Sequence, residues 1–185
     1  RAGLQFNRFY AGAAVCSPTR GTCLTGRHAS RFGIVTANQG HLRRGELSLA
    51  EVLGDKGYRS GHFGKWHLGT LSSDYSGKKG RNPKADYLTP GMVGFDTWFS
   101  TEFAVATWDP YDPANAHASP FDPRLLYWEN GVNVADGLVT GLTGCDSSII
   151  MDKALPFIES AVADEVPFFT VIWFHAPHEP IIGGP

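Results

Sequence analysis

Cysteine, methionine and charge are all scarce in this 185-residue chain: 3 cysteines, 2 methionines, and 18% charged residues against a usual ~25%. The three cysteines, Cys16, Cys23 and Cys145, are odd in number and too few for a disulfide framework. No Cys-x-x-Cys occurs, and the separation of Cys16 from Cys23 fits no zinc site. No apolar run approaches the roughly 18–20 residues that span a bilayer, so no membrane span is expected in this segment. No basic block exceeds two residues, and 16 Lys+Arg against 18 Asp+Glu give a net charge of −2. That balance argues against a nucleic-acid partner and against a polybasic membrane anchor. The chain also lacks an initial Met and a signal-like leader, starting at Arg1 and stopping at Gly184-Pro185, so it reads as an excerpt of a longer protein.

What is present is globular. Hydrophobic residues make up 42% and aromatics 12%, enough to bury a core and to exclude general disorder. Glycine is abundant at 22 residues, so the chain is expected to turn often. Phe168-Phe169-Thr170-Val171-Ile172-Trp173-Phe174 is a continuous β-branched and aromatic run after Pro167. It predicts a strand buried on both faces. A second strand is expected from Tyr58 to His67. Ahead of it Ser48 and Glu51 form a capping box, Leu49, Val52 and Leu53 an apolar stripe, and Gly57 a stop. A helix starts at about Ser17 with Pro18 in its first turn and ends at Gly26. Another runs from about Asp146 to Ala163, with Pro156 expected to kink or restart it. Between about Ser72 and Pro123 lie the turn signals Gly77-Lys78-Lys79-Gly80, Asp109-Pro110, Asp112-Pro113, Ser119-Pro120 and Asp122-Pro123. They predict a long irregular stretch at the rim of a site.

Three segments carry candidate chemistry. In Cys16-Ser17-Pro18-Thr19-Arg20-Gly21-Thr22-Cys23-Leu24-Thr25-Gly26-Arg27, Cys16 stands just ahead of a helix N-terminus, where N–H groups and the dipole favour an anion. A cysteine so placed is reactive, although a buried inert thiol satisfies the same pattern. A cysteine phosphatase loop is excluded, because Cys-x5-Arg would need arginine where Thr22 stands. In Gly57-Tyr58-Arg59-Ser60-Gly61-His62-Phe63-Gly64-Lys65-Trp66-His67, strand alternation puts Lys65 and His67 on one face and Trp66 on the other. A cation and an imidazole together suit an oxyanion, whereas His62 reads as structural. In Trp173-Phe174-His175-Ala176-Pro177-His178-Glu179-Pro180, two histidines follow the carboxyl end of a strand, where α/β sheets bind ligands. No His-Glu-x-x-His is completed there.

Cys-x-Pro-x-Arg followed by Leu-Thr-Gly-Arg resembles the signature of the type I sulfatases. Gly-Tyr-x-Ser with Gly-Lys-Trp-His resembles their second signature. Cys23 departs from the family's larger aliphatic residue and is expected to serve core packing. Gly94-Phe95-Asp96 and Glu129-Asn130-Gly131 resemble further landmarks without assigned chemistry. The resemblance implies an α/β fold, a fragment of an alkaline-phosphatase-like domain with a mixed central sheet flanked by helices. Residues 1–185 would form the central part of that domain, without the family's N-terminal aspartate pair and its C-terminal part.

The implied function is sulfate ester hydrolysis. Cys16 would become formylglycine, made by a formylglycine-generating or anaerobic maturase enzyme. One hydroxyl of its hydrate attacks sulfur, and the other lets the bound sulfate leave by elimination. Arg20 would orient that group, Lys65 bind a sulfate oxygen, His67 act as base, and His178 bind sulfate and protonate the leaving group. His175 would face the substrate or stand behind His178. Calcium would be held by Cys16 as formylglycine, its other ligands lying outside this chain. The substrate would be a small-molecule or carbohydrate sulfate ester, and aromatics from Trp98 to Trp128 could line a sugar cleft. The family resemblance suggests an exported or lumenal protein, and the 185-residue piece alone is expected to be inactive. The alternatives are a phosphonate monoester or phosphodiester hydrolase of the same superfamily, and a non-catalytic binding protein with an unmodified thiol at Cys16.

Overall fold

The computed structural model describes residues 3–76, 80–115, 122–135 and 142–184. The turn signals at Gly77-Lys78-Lys79 and Ser119-Pro120 lie outside those residues. The first helices are α1 (Cys16–Thr25), α2 (Ala29–Phe32) and α3 (Leu49–Gly54). Strands β1 (Arg59–Lys65) and β2 (Thr97–Thr101) follow, then the short pair β3 (Tyr127–Glu129) and β4 (Val132–Asn133). Helix α4 (Asp146–Ala163) and strand β5 (Phe168–Trp173) complete the order.

The strands form one mixed sheet in the order β4-β3-β2-β1-β5. β1 is central and parallel to both β2 and β5, with Gly61 beside Thr97 and Thr170. β3 runs antiparallel to β2, and β4 antiparallel to β3. One face carries Leu24, Phe32, Trp66, Phe95, Trp98 and Val171, beneath the early helices. The other carries Phe63, Phe99, Ile150, Ala154 and Phe157, beneath α4. The expected mixed sheet flanked by helices is present. Among the described residues no helix is long and apolar enough to cross a membrane.

Local chemistry accounts for the ends of the elements. Ser48 Oγ accepts from Glu51 N–H, and Glu51 returns a carboxylate to Ser48 N–H at 2.8 Å, which completes the capping box. Gly94 sits at φ +92°, and a Cβ there would stand 2.8 Å from the Glu51 backbone nitrogen. The bare glycine therefore lets α3 dock against the entry to β2. Asp96 then accepts from Ser60 N–H at 2.7 Å, which locks the starts of β1 and β2 together. Helix α4 runs as one 18-residue helix through Pro156, with no restart.

Three expectations change, and one element goes unread. The stretch from Ser72 to Pro123 is not irregular throughout, because β2 lies within it and pairs with the central strand. The hairpin of β3 and β4 was also unread, although Asn130 and Gly131 both take positive φ, the turn that Asn-Gly favours. β5 is not buried on both faces. Only Val171 in it is buried, because β5 is outermost among the described strands and has β1 as its sole neighbour. The stripe on α3 is open too, with Leu49 and Val52 exposed and Ala50 buried instead.

Candidate active site

Parallel strands send their carboxyl ends to one edge of a sheet. Here β1 ends at Lys65, β2 at Thr101 and β5 at Trp173. Helix α1 brings its N-terminus to that edge. Cys16 is its first helical residue, with Val15 as the cap, rather than the residue ahead of the helix. Val15 gives no side-chain cap, so the first-turn N–H groups keep their preference for an anion.

Position on α1 decides which side chains face out. Ser17, Pro18, Gly21 and Leu24 form its buried side. Cys16, Arg20 and Cys23, at i, i+4 and i+7, share another side. All three line a cleft of about 580 Å³ together with Trp173 and His178. Cys23 is therefore exposed at the cleft and does not serve core packing as expected.

Lys65 is buried, and its Nζ lies 3.5 Å from Cys16 Sγ. Arg20 donates from NH1 to the Lys65 carbonyl at 2.8 Å, and its guanidinium lies over the Trp173 ring, 4.6 Å from the centroid. Burial lowers the Arg20 pKa to about 10, opposed by the nearby Cys16 and Cys23. Arg20 thus stays cationic at neutral pH. His178 is exposed on the loop after β5 and donates from Nδ1 to the Glu179 carbonyl at 2.6 Å.

The other two histidines are both buried. β1 stops at Lys65, and His67 lies beyond it at φ +57°, so strand alternation does not set its direction. His67 is buried, its Nε2 2.6 Å from Asn38 Oδ1 and its carbonyl accepting from Arg81 at 2.8 Å. His175 does not face the cleft. It is buried with both ring nitrogens engaged, by Asp146 at 2.6 Å and Thr101 at 2.8 Å. The interior holds this ring because its two polar partners are there.

His62 is structural, as expected from its strand position. It is fully buried, hydrogen-bonded to Ser100, and edge-on to Trp66 and Trp173 at 5.1 Å each. Burial, then the charge of Arg20, hold its pKa well below the usual imidazole range. Trp98 is buried in the core and lines no sugar cleft.

Asn38, Arg81 and Asp146 were not read as site residues. Asn38 and Arg81 lie in loops without a motif, and Asp146 was legible only as a helix start. The residues also bear on cofactors. A partly exposed Cys16 beside Lys65, on a helix N-terminus, suits an oxygen anion. Calcium takes about six to eight hard oxygen ligands. Among the described residues no three His, Cys, Asp or Glu side chains gather to hold a metal, and Lys65 and Arg20 beside Cys16 are cations. The described residues do not by themselves fit a calcium site.

The sulfatase family model matches residues 1–182. The chain is 32% identical over 195 aligned residues to an N-acetylgalactosamine-6-sulfatase of Sus scrofa, covering 97% of this chain and 34% of that protein. It is 31% identical to an arylsulfatase of Hemicentrotus pulcherrimus, covering 95% and 31%. The chain thus spans about a third of the length of the curated relatives it matches. Among solved structures, Ps i-CgsB in complex with k-i-k-neocarrahexaose gives a TM-score of 0.67 at 20% identity, over 92% of this chain and 36% of that one. A protein in complex with its substrate D-glucosamine-2-N,6-O-disulfate gives 0.64 at 24%, over 94% and 27%. At such identities these structures bear on the fold alone.

Proposed function

This chain belongs to the sulfatase family, and from that premise we propose that the protein hydrolyses sulfate esters with Cys16, oxidised to formylglycine, as its nucleophilic residue. The observation that carries this reading is the convergence on Cys16. Lys65 Nζ stands 3.5 Å from its Sγ, Arg20 is bound to the Lys65 carbonyl, and His178 lines the same cleft.

Hydrated, formylglycine would supply one hydroxyl as nucleophile towards sulfur and a second whose deprotonation would drive sulfate release. The chain's own residues do the rest. Lys65 holds a sulfate oxygen and offsets negative charge as it builds in the transition state. Arg20 keeps a fixed positive charge beside Cys16 and, through the Lys65 carbonyl, holds β1 against α1. His178 keeps its Nδ1–H on the Glu179 carbonyl, so it is as the imidazolium, protonated at both nitrogens, that it gives the Nε2 proton to the departing alcohol oxygen. His67, oriented by Asn38 at Nε2, is the base for sulfate release. Calcium would need oxygen ligands beyond the described residues. A maturase enzyme is required to convert the thiol.

A carbohydrate sulfate is the substrate class. The relatives' name N-acetylgalactosamine-6-sulfatase supports it. Activity is assigned to the whole protein and not to these residues in isolation.

The test is twofold. Mass spectrometry of the tryptic peptide from Phe9 to Arg20, in protein from its natural host, should show sulfur and two hydrogens exchanged for one oxygen at Cys16. An intact thiol would point to a non-catalytic binding protein. Parallel assays on an aryl sulfate and an aryl phosphodiester should favour the sulfate, and a strong diester preference would overturn the reading.

A further inference from the structure

Beneath the cleft lies a buried polar cluster that the proposed mechanism does not use. Asp146 is the first residue of α4, where the helix dipole favours a negative charge. One carboxylate oxygen accepts from the Tyr127 hydroxyl, and the other faces His175 Nδ1 at 2.6 Å. The far side of the imidazole, Nε2, lies 2.8 Å from Thr101 Oγ1. Asp146, Tyr127, His175 and Thr101 are all buried.

Counting donors fixes the bonding. The Thr101 hydroxyl spends its one proton on the Phe103 carbonyl at 2.7 Å. Towards His175 it can therefore only accept, so Nε2 carries hydrogen. An ionised Asp146 also only accepts, so Nδ1 carries hydrogen too. The hydrogen bonds tie the end of β5 to α4, β2 and β3 at one point.

His175 is the one buried residue between Phe174 and Gly184. Its backbone carbonyl accepts the His178 N–H at 2.7 Å. Among the described residues the exposed His178 ring hydrogen-bonds its neighbour Glu179, so the place of that ring follows from how the loop is anchored. We propose that Asp146 is a positioning residue for the reaction, holding through the His175 imidazole the loop that presents His178 to the cleft.

The inference rests on His178 as proton donor to the leaving group, and its test separates the two. Asp146→Asn keeps size and shape but gives up the carboxylate that faces His175 Nδ1. In the intact protein, kcat is measured on a sugar sulfate, whose poor leaving group needs a proton, and on a nitrophenyl sulfate, which needs little help. Misplacement of a catalytic group costs roughly up to a hundredfold. Asp146→Asn should lower kcat on the sugar sulfate by about that factor and on the aryl sulfate by only a few-fold. Loss of stability alone would lower both rates together and leave their ratio unchanged. Tyr127→Phe, which removes one donor to the same carboxylate, should shift the ratio in the same direction by less. If Asp146→Asn does not fold, Tyr127→Phe decides the matter. His178→Ala is the control. A ratio unmoved by His178→Ala would overturn the donor role of His178 itself. A ratio moved by His178→Ala but by neither Asp146→Asn nor Tyr127→Phe would overturn the positioning role alone.

Discussion

Lys65 Nζ lies 3.5 Å from Cys16 Sγ across 49 residues of chain. Nothing local in the sequence joins these two atoms. They meet because the central strand β1 ends where α1 begins, and because Arg20, one helical turn beyond Cys16, is bonded to the carbonyl of Lys65 itself. Cys16, Lys65 and the arginine that links them thus form one unit.

The first consequence concerns Lys65. Replacement by alanine in the intact protein should reduce kcat/KM for a sulfate ester by about 10²–10³-fold, the usual effect of losing one preorganised charge stabiliser. Steady-state kinetics would settle it, and an unchanged kcat/KM would mean that the site is misassigned.

A second consequence concerns Arg20. Lysine at this position keeps the charge but loses both the fork that reaches the Lys65 carbonyl and the flat face over Trp173. Arg20→Lys should therefore lower activity despite an unchanged formal charge. It should also cost on the order of 1 kcal/mol of stability, measurable by denaturant unfolding. Wild-type behaviour in both assays would show that charge alone is needed there.

The cap of α3 offers a purely structural test. Ser48 Oγ accepts from Glu51 N–H and donates to the Val93 carbonyl at 2.6 Å, joining the helix to the turn before β2. Ser48→Ala should destabilise the fold by about 1–2 kcal/mol. A smaller loss would mean that Glu51 alone sustains the cap.

Stability should also depend on pH through His62. Burial and the Arg20 charge hold its folded pKa well below the ordinary imidazole value of about 6.5. As pH falls below ~6.5, the unfolded chain binds a proton that the folded chain refuses. Stability is then lost as pH drops, by at most about 1.4 kcal/mol per pH unit. The same group contributes no slope above that range. His62→Asn should flatten the fall between about pH 6.5 and 5. Identical slopes for the two proteins would rule His62 out as its source.

Much of the fold was legible locally. The capping box at Ser48, the helix stop at Gly26 and the limits of α4 follow from short-range hydrogen bonding and side-chain periodicity. The strand β2 was not legible. Its Thr97-Trp98-Phe99-Ser100-Thr101 lies amid turn signals, and pairing with β1, not local propensity, makes it a strand. Strand parity did not reach His67 for a related reason, since it holds only while the backbone stays extended, and here it turns left-handed after Lys65.

The sequence by itself determined the family, through two motifs, and named Cys16, Arg20, Lys65, His67 and His178 as candidate catalytic residues. It could do so because each motif is a short contiguous string whose chemistry is carried by neighbours. The tertiary structure alone decided which side chains face the cleft and which are sealed beneath it. Cys23 went to the cleft because of its turn on α1, while His175 went inward because Asp146 and Thr101 wait there. Both outcomes depend on contacts between residues remote in the chain, which no local pattern encodes.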